Sequence, residues 1–295
     1  MEDPTRTPAG RVLVVAFDGW NDAGDAASTA VRILRDSRDV VPVAQVDPET
    51  YFDFQFARPT VSLDEDGRSS IHWPEVVLSA PAPTAALPHD APEVCILSGT
   101  EPSRNWKAFT AEIVDAALTA GVEWVILLGA MLADVPHTRP ISVFASSSDA
   151  RVRARFGLER STYEGPTGIL GVLADATERA GLPTVSVWAS VPHYVHNAPS
   201  PKATLALIGR LEELIGVSIP HGNLAEQSAA WEAGIDALAA DDEDMAAYIK
   251  QLEQARDTVE SPDASGDAIA QEFERYLRRR GDDGRGDEPW HGGRD

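Results

Sequence analysis

The chain has a single cysteine, Cys95, in 295 residues, so no disulfide can form within it, and a reducing compartment fits. Basic residues are scarce: 25 Lys and Arg against 47 Asp and Glu give a net charge of −22. That imbalance excludes sequence-independent nucleic-acid binding, which rests on Lys and Arg contacts to phosphate. It also opposes attachment to an anionic membrane surface. Long apolar runs are missing. The longest spans 124–133 and ends at Asp134; it is too short to cross a bilayer and reads as a buried strand plus the loop after it. The first ten residues lack the charged-then-apolar pattern of a signal peptide, and the expectation is a soluble, cytoplasmic, acidic protein. No nucleophile stands out either. There is no G-x-S-x-G elbow, and Cys95 lies inside an apolar run, where a thiol is inert core.

What is present is ordinary globular composition, 43% hydrophobic and 24% charged. Residues 11–17 (RVLVVAF) form a near-continuous apolar run rich in β-branched side chains, the pattern of a strand buried on both faces. A helical stretch follows over 24–36, with Ala27, Ala30, Val31 and Leu34 on one face. Similar strand runs recur at 93–97, 123–128 and 183–188. A helix is expected over 104–120, a further strand over 141–146, and a helix starting at Pro201. This alternation predicts an α/β fold: three layers, a mostly parallel sheet with helices on both faces. Residues 51–80 differ. Asp66-Gly67 between short runs, with alternation over 69–78, marks a β-hairpin insertion. Beyond residue 220 the pattern is helical only. Leu224, Trp231, Ile235 and Leu238 share one face, then Met245, Ile249, Leu252 and Val259, then Ile269, Phe273 and Leu277. The acidic run Asp241-Asp242-Glu243-Asp244 suits a helix N-terminus. The resulting division is a loose lead over 1–9, an α/β core over 10–220, a helical extension over 221–280 and a disordered Gly- and Asp-rich tail over 281–295.

In parallel α/β sheets ligands gather at loops leaving the carboxyl ends of strands, and several such loops are polar here. Asp18-Gly19-Trp20-Asn21-Asp22 offers oxygen ligands for a cation, or else Asn21 or Asp22 caps the next helix. It carries neither the dinucleotide fingerprint nor a Walker A pattern. Gly99-Thr100-Glu101-Pro102-Ser103-Arg104 offers an anion site at a helix start, or a plain cap. Asp134-Val135-Pro136-His137-Thr138-Arg139-Pro140 holds a carboxylate, an imidazole and a guanidinium within six residues, suited either to acid–base work and anion recognition or to bracing the loop. His193 and His196 are three apart without an obvious third zinc ligand. Tyr163-Glu164-Gly165-Pro166-Thr167-Gly168 opens a helix with Pro166 at its first position; its glycines permit either a phosphate cradle or close helix–sheet packing. Asp18, Asn21, Asp22, Arg104, Asp134, His137, Arg139 and His193 therefore define a ligand or interaction face, with no catalytic residue, metal site or cofactor assigned.

Three of these elements in order, the Asp134–Pro140 string, Tyr163-Glu164-Gly165-Pro166-Thr167-Gly168-Ile169 and Trp188…Val191-Pro192-His193-Tyr194, resemble the proteasome assembly chaperone 2 family. Phe17-Asp18-Gly19-Trp20-Asn21-Asp22-Ala23-Gly24 resembles the start of its actinobacterial-type branch. The resemblance covers about 10–220 and leaves 221–280 outside it. It implies a phosphorylase/hydrolase-like core, a homo-oligomer with a trimer as first choice, and a non-catalytic, chaperone-like factor with protein partners such as proteasome subunits. The alternative is an enzyme acting on a small molecule at the loop face. The resemblance also implies a C-terminal hydrophobic–Tyr–any-residue docking signal, often used by assembly chaperones of this type, which Gly292-Gly293-Arg294-Asp295 does not match.

Overall fold

The computed structural model describes residue 8 and residues 10–85 and 91–259. Most of the expected lead over 1–9, the helical pattern beyond 259 and the tail over 281–295 lie outside the described residues. In chain order the elements are β1 (Arg11–Asp18), α1 (Ala26–Asp36), β2 (Val40–Gln45), α2 (Pro48–Tyr51), β3 (Thr60–Leu63), β4 (Ser69–His72), β5 (Val76–Pro81), β6 (Glu93–Thr100), α3 (Trp106–Thr119), β7 (Val122–Ala133), β8 (Val143–Ser146), α4 (Ala150–Phe156), α5 (Ile169–Arg179), β9 (Thr184–Pro192), α6 (Pro201–Ile215), α7 (Leu224–Ala240) and α8 (Glu243–Val259). One-turn 3-10 helices at Ala23–Asp25 and His193–Val195 precede α1 and follow β9.

Seven strands form one sheet in the order β2-β5-β6-β1-β7-β9-β8. β6, β1, β7 and β9 are mutually parallel at its centre, while β5 and β8 run antiparallel to their neighbours. The run 11–17 alternates between the two faces. Val12, Val14 and Ala16 pack with Ala27, Val31 and Leu34 of α1 and Leu207, Ile208 and Leu211 of α6. Leu13, Val15 and Phe17 pack with Phe109 and Ile113 of α3 and Leu170 and Leu173 of α5. The result is the expected three-layer α/β sandwich, and each such fully buried Leu, Val or Phe contributes about 1.5–3 kcal/mol by leaving water.

The structure differs from the sequence expectation at the edges. The apolar run 124–133 is strand throughout, because β7 lies between β1 and β9 and every residue to Ala133 stays paired or covered. The alternating stretch 69–78 is divided: β4 belongs to a separate two-stranded hairpin with β3, and β5 joins the main sheet. β2 and α4 carry no signal that the patterning isolated. β2 is an edge strand with Pro42 inside it and mostly exposed side chains, so neither alternation nor a buried run marks it. α5 begins at Ile169 rather than Pro166, with Gly168 as its N-cap.

Beyond the core, α7 packs along α6, and α8 against α7. The face of α7 turned inward carries Leu224, Ser228, Ile235 and Ala239; Leu238, expected on that face, is 64% exposed. Ile249 and Leu252 of α8 are buried. The acidic run does sit at the start of α8, where Asp242 Oδ1 accepts the backbone N–H groups of Asp244 and Met245, each at 3.0 Å.

Candidate functional site

The carboxyl ends of β6, β1, β7 and β9 lie side by side, so the loops leaving them share one edge of the sheet. The eight residues expected to form a single face divide there into two groups and one outlier.

The first group follows β1. The 19–22 segment turns back, with Asp22 N–H donating to Gly19 O at 3.1 Å, and Asn21 O accepts the Ala130 N–H of β7 at 2.8 Å. Glu101, at the end of β6, knits this turn to α5. Its Oε2 accepts Trp20 N–H at 3.0 Å, and its Oε1 accepts Asn21 Nδ2 at 3.1 Å and Ile169 N–H at 3.2 Å. Gly168 is required by this junction, since a Cβ there would sit 2.4 Å from Asn21 Nδ2. The glycine therefore permits close packing of α5 on the loop. Asp18 lies 3.4 Å from Thr100 Oγ1, which donates to it, and burial raises its carboxyl above the usual range.

Asp22 caps α1 from below: its Oδ1 accepts Ala27 N–H at 2.7 Å and Ser28 N–H at 3.1 Å. The residue is 5% exposed, and its Oδ2 has no hydrogen-bond partner among the described residues. Burial raises the Asp22 pKa to about 6, and the capping bonds offset this only in part. Because this folded-state value exceeds the ~3.9 of an unfolded aspartate, ionising Asp22 weakens the fold. The stability it contributes as a neutral acid is complete below about pH 4 and is lost as pH rises through about 6. Asp22→Asn is expected to match the wild type near pH 4 and to exceed it by about 1–3 kcal/mol at pH 7. Denaturation midpoints at the two pH values check this, and a variant less stable than the wild type at pH 7 contradicts it.

The second group follows β7 and β9 and is covered by α7 and α8. His137 is fully buried. Tyr194 Oη accepts its backbone N–H at 2.7 Å and lies 2.8 Å from its Nδ1, while its Nε2 lies 3.1 Å from Asp236 Oδ1 on α7. Burial pushes the Tyr194 hydroxyl up to about 12. Arg139 forms a two-pronged pair with Asp257 of α8, both contacts 2.8 Å, and reaches Glu253 at 3.3 Å. Thr138 Oγ1 also donates to Glu253. Asp134 lies 3.3 Å from His193 Nδ1 and accepts the Tyr248 O–H of α8 at 3.4 Å. Lys202 Nζ donates to His137 O at 2.6 Å and to Glu232 of α7. The side chains that suggested acid–base work thus form the seat of the C-terminal helices.

Arg104 belongs to neither group. Its Nη2 donates to Glu49 O at 2.7 Å, and the Ser103 and Arg104 N–H groups both donate to Tyr51 O. Neither Thr100 nor Ser103 caps α3. Asn105 stands at that position in the left-handed region, with its Nδ2 donating to Thr50 O at 2.8 Å. Among the described residues no three His, Cys, Asp or Glu side chains group as a metal-holding cluster, and no helix is long and apolar enough to cross a membrane. Cys95 is buried, and burial raises its thiol pKa to about 11.

The surface that patterning located only as a hairpin is β3–β4. Register pairs Val61 with Ile71 and Leu63 with Ser69 on one face, and Ser62 with Ser70 and Thr60 with His72 on the other. The second face is polar and self-bonded, with Ser62 Oγ 2.7 Å from His72 Nε2. The first is apolar, and Val61, Leu63 and Ile71 are 67%, 70% and 59% exposed. Phe56, 85% exposed, and half-exposed Trp73 flank it, and Trp73 is braced by Phe54 at a 5.0 Å ring separation.

The described residues form a three-layer α/β core with α7 and α8 packed over the loops that leave β7 and β9, and a separate β3–β4 hairpin. The chain belongs to the PAC2 family, whose model matches residues 16–239. The match runs through nearly all of α7, past the limit near residue 220 that the motif strings set. Among solved structures, a PAC2 family protein from Streptomyces avermitilis is 48% identical, with 81% of this chain and 99% of that one covered and a TM-score of 0.74. A Mycobacterium tuberculosis proteasome-assembly chaperone homologue is 41% identical, with the same coverage and a TM-score of 0.71. The Pyrococcus furiosus protein PbaA, an archaeal homologue of proteasome-assembly chaperone, shares the fold at 18% identity, with 85% and 96% covered and a TM-score of 0.54. No curated protein matches the chain.

Proposed function

We propose that this protein is a non-catalytic, assembly-chaperone-like factor of the cytoplasm that binds other proteins, proteasome subunits first among them, and works as a homo-oligomer, with a trimer as the first stoichiometry to test. The observation that carries this reading is the β3–β4 hairpin. An isolated two-stranded hairpin is marginal in water, and this one turns an apolar face with flanking aromatic groups to solvent. Contiguous exposed apolar surface of this kind marks an interaction site. Membership of the PAC2 family and the likeness to a proteasome-assembly chaperone homologue supply the class of partner. The use of Asp134, His137, Arg139 and His193 to seat α7 and α8 supports a binding role over catalysis at that loop.

The test is a binding measurement between the purified full chain and proteasome subunits of its own source organism, by native mass spectrometry and interferometry. The wild type is expected to retain subunits. Replacing Val61 and Ile71 together by Asp is expected to weaken that binding at least about tenfold, because apolar anchors dominate interface energies. Thermal stability should hold within about 2 °C, because both side chains are exposed. Undiminished binding by the double variant would sink the hairpin assignment, and a wild type that retains no subunit would sink the partner.

A further inference from the structure

Two adjoining cavities of about 260 and 370 Å³ open at the loop edge of the sheet and share Trp20, Asn21, Met131 and Trp188 as walls. The first is aromatic: Trp20, Phe144, Tyr163 and Trp188 line it together with Met131. Its shape is set by the sequence of the strands beneath. Trp188 of β9 lies against Gly129 of β7, where a Cβ would come within 2.6 Å of the ring. Tyr163, one of the lining side chains, is held by its O–H, which donates to Pro166 O at 2.8 Å. The second cavity is bordered by the 19–25 turn and by residues 196–199. Asp22 stands in its wall, with Oδ1 engaged by α1 and Oδ2 buried without a hydrogen-bond partner.

Oδ2 is buried behind the cavity surface, so Asp22 attracts a cation in the cavity through its charge rather than through a direct hydrogen bond. The ionisable lining of the two cavities is Asp22, Asp25 and Glu159 against Arg160 and His196, so the balance favours a cation. Aromatic faces favour a flat ring and add cation–π attraction for a positive group beside them. The larger cavity falls within the ordinary range for small-molecule sites, and the smaller lies close to it.

We propose that the two cavities form one binding site for an aromatic amine, with its ring between Trp20 and Trp188 and its protonated nitrogen directed to Asp22. The site is separate from the hairpin, so it stands or falls independently of the protein-binding reading.

Calorimetric titration of the full chain with tryptamine, indole and indole-3-acetate tests this. These probes share a ring and differ in carrying a positive, no or a negative charge. Tryptamine is expected to bind at least about tenfold tighter than indole, with indole-3-acetate weakest. Asp22→Asn should bring tryptamine down to the affinity of indole. Trp20→Ala, at a half-exposed position, should weaken tryptamine and indole alike by about tenfold. Melting curves of both variants verify folding, and if Trp20→Ala fails to fold, the three probes on the wild type and Asp22→Asn still decide. No heat and no rise in melting temperature with tryptamine at about 5 mM, equal affinity for the three probes, or an Asp22→Asn variant that keeps the preference for tryptamine would each overturn the proposal.

Discussion

Replacing Gly99 with alanine is expected to be among the most damaging single changes in the chain. Gly99 lies in β6, paired with Phe17 of β1 on one side and Val76 of β5 on the other. Its φ of +151° is one that side-chain-bearing residues rarely adopt, and a Cβ there would stand 1.9 Å from Glu75 O. That carbonyl accepts the Thr100 N–H at 2.9 Å, so it cannot withdraw without breaking the ladder. Backbone strain of about 1–3 kcal/mol adds to overpacking of about 1–3 kcal/mol. The melting temperature should fall on the order of 10 °C, and a fall of less than about 3 °C would contradict the account. Gly157 also has a positive φ but nothing within 4 Å of a Cβ, so Gly157→Ala should carry only the strain and serves as the control.

His137→Ala is expected to cost about 2–5 kcal/mol, through the cavity it leaves and the hydrogen bonds it breaks. The imidazole is fully buried between Tyr194 and Trp231, with ring separations of 5.9 and 6.3 Å. Its loss removes a partner from both the Tyr194 hydroxyl and Asp236. Because Asp236 is on α7, the damage should extend to the helical seat: proteolysis within residues 221–242 should become faster than in the wild type under native conditions. Equilibrium denaturation measures the first effect. A loss below about 1 kcal/mol would show that α7 is held by the neighbouring Lys202–Glu232 pair and by apolar packing instead.

The sequence was most legible where local and global demands coincide. The run 11–17 has the β-branched, near-continuous apolar pattern of a strand covered on both sides, and it became the middle of the sheet. α6 begins at Pro201, where the missing N–H is harmless, behind Ser200, whose hydroxyl accepts the Ala203 N–H. The Asp66-Gly67 turn located β3–β4 because the left-handed φ of Gly67, +77°, is a local requirement. The edge strand β2 was not legible, since its side chains are mostly exposed and its pairing with β5 leaves no periodic imprint.

Composition and patterning by themselves determined the α/β class, the two faces of the central strand, the hairpin and the helical nature of residues 224–259, because each follows from the pattern of residues within a few turns of chain. Tertiary structure alone decided what the polar loops do. His137, Asp134 and Arg139 meet Asp236, Tyr248 and Asp257 across sequence separations of 99, 114 and 118 residues, and no local spacing encodes such a meeting. A carboxylate, an imidazole and a guanidinium within six residues are equally suited to open chemistry and to anchoring a helix. Which role they take depends on whether the surface above them is covered, and that is fixed by how α7 and α8 pack back over the edge of the sheet.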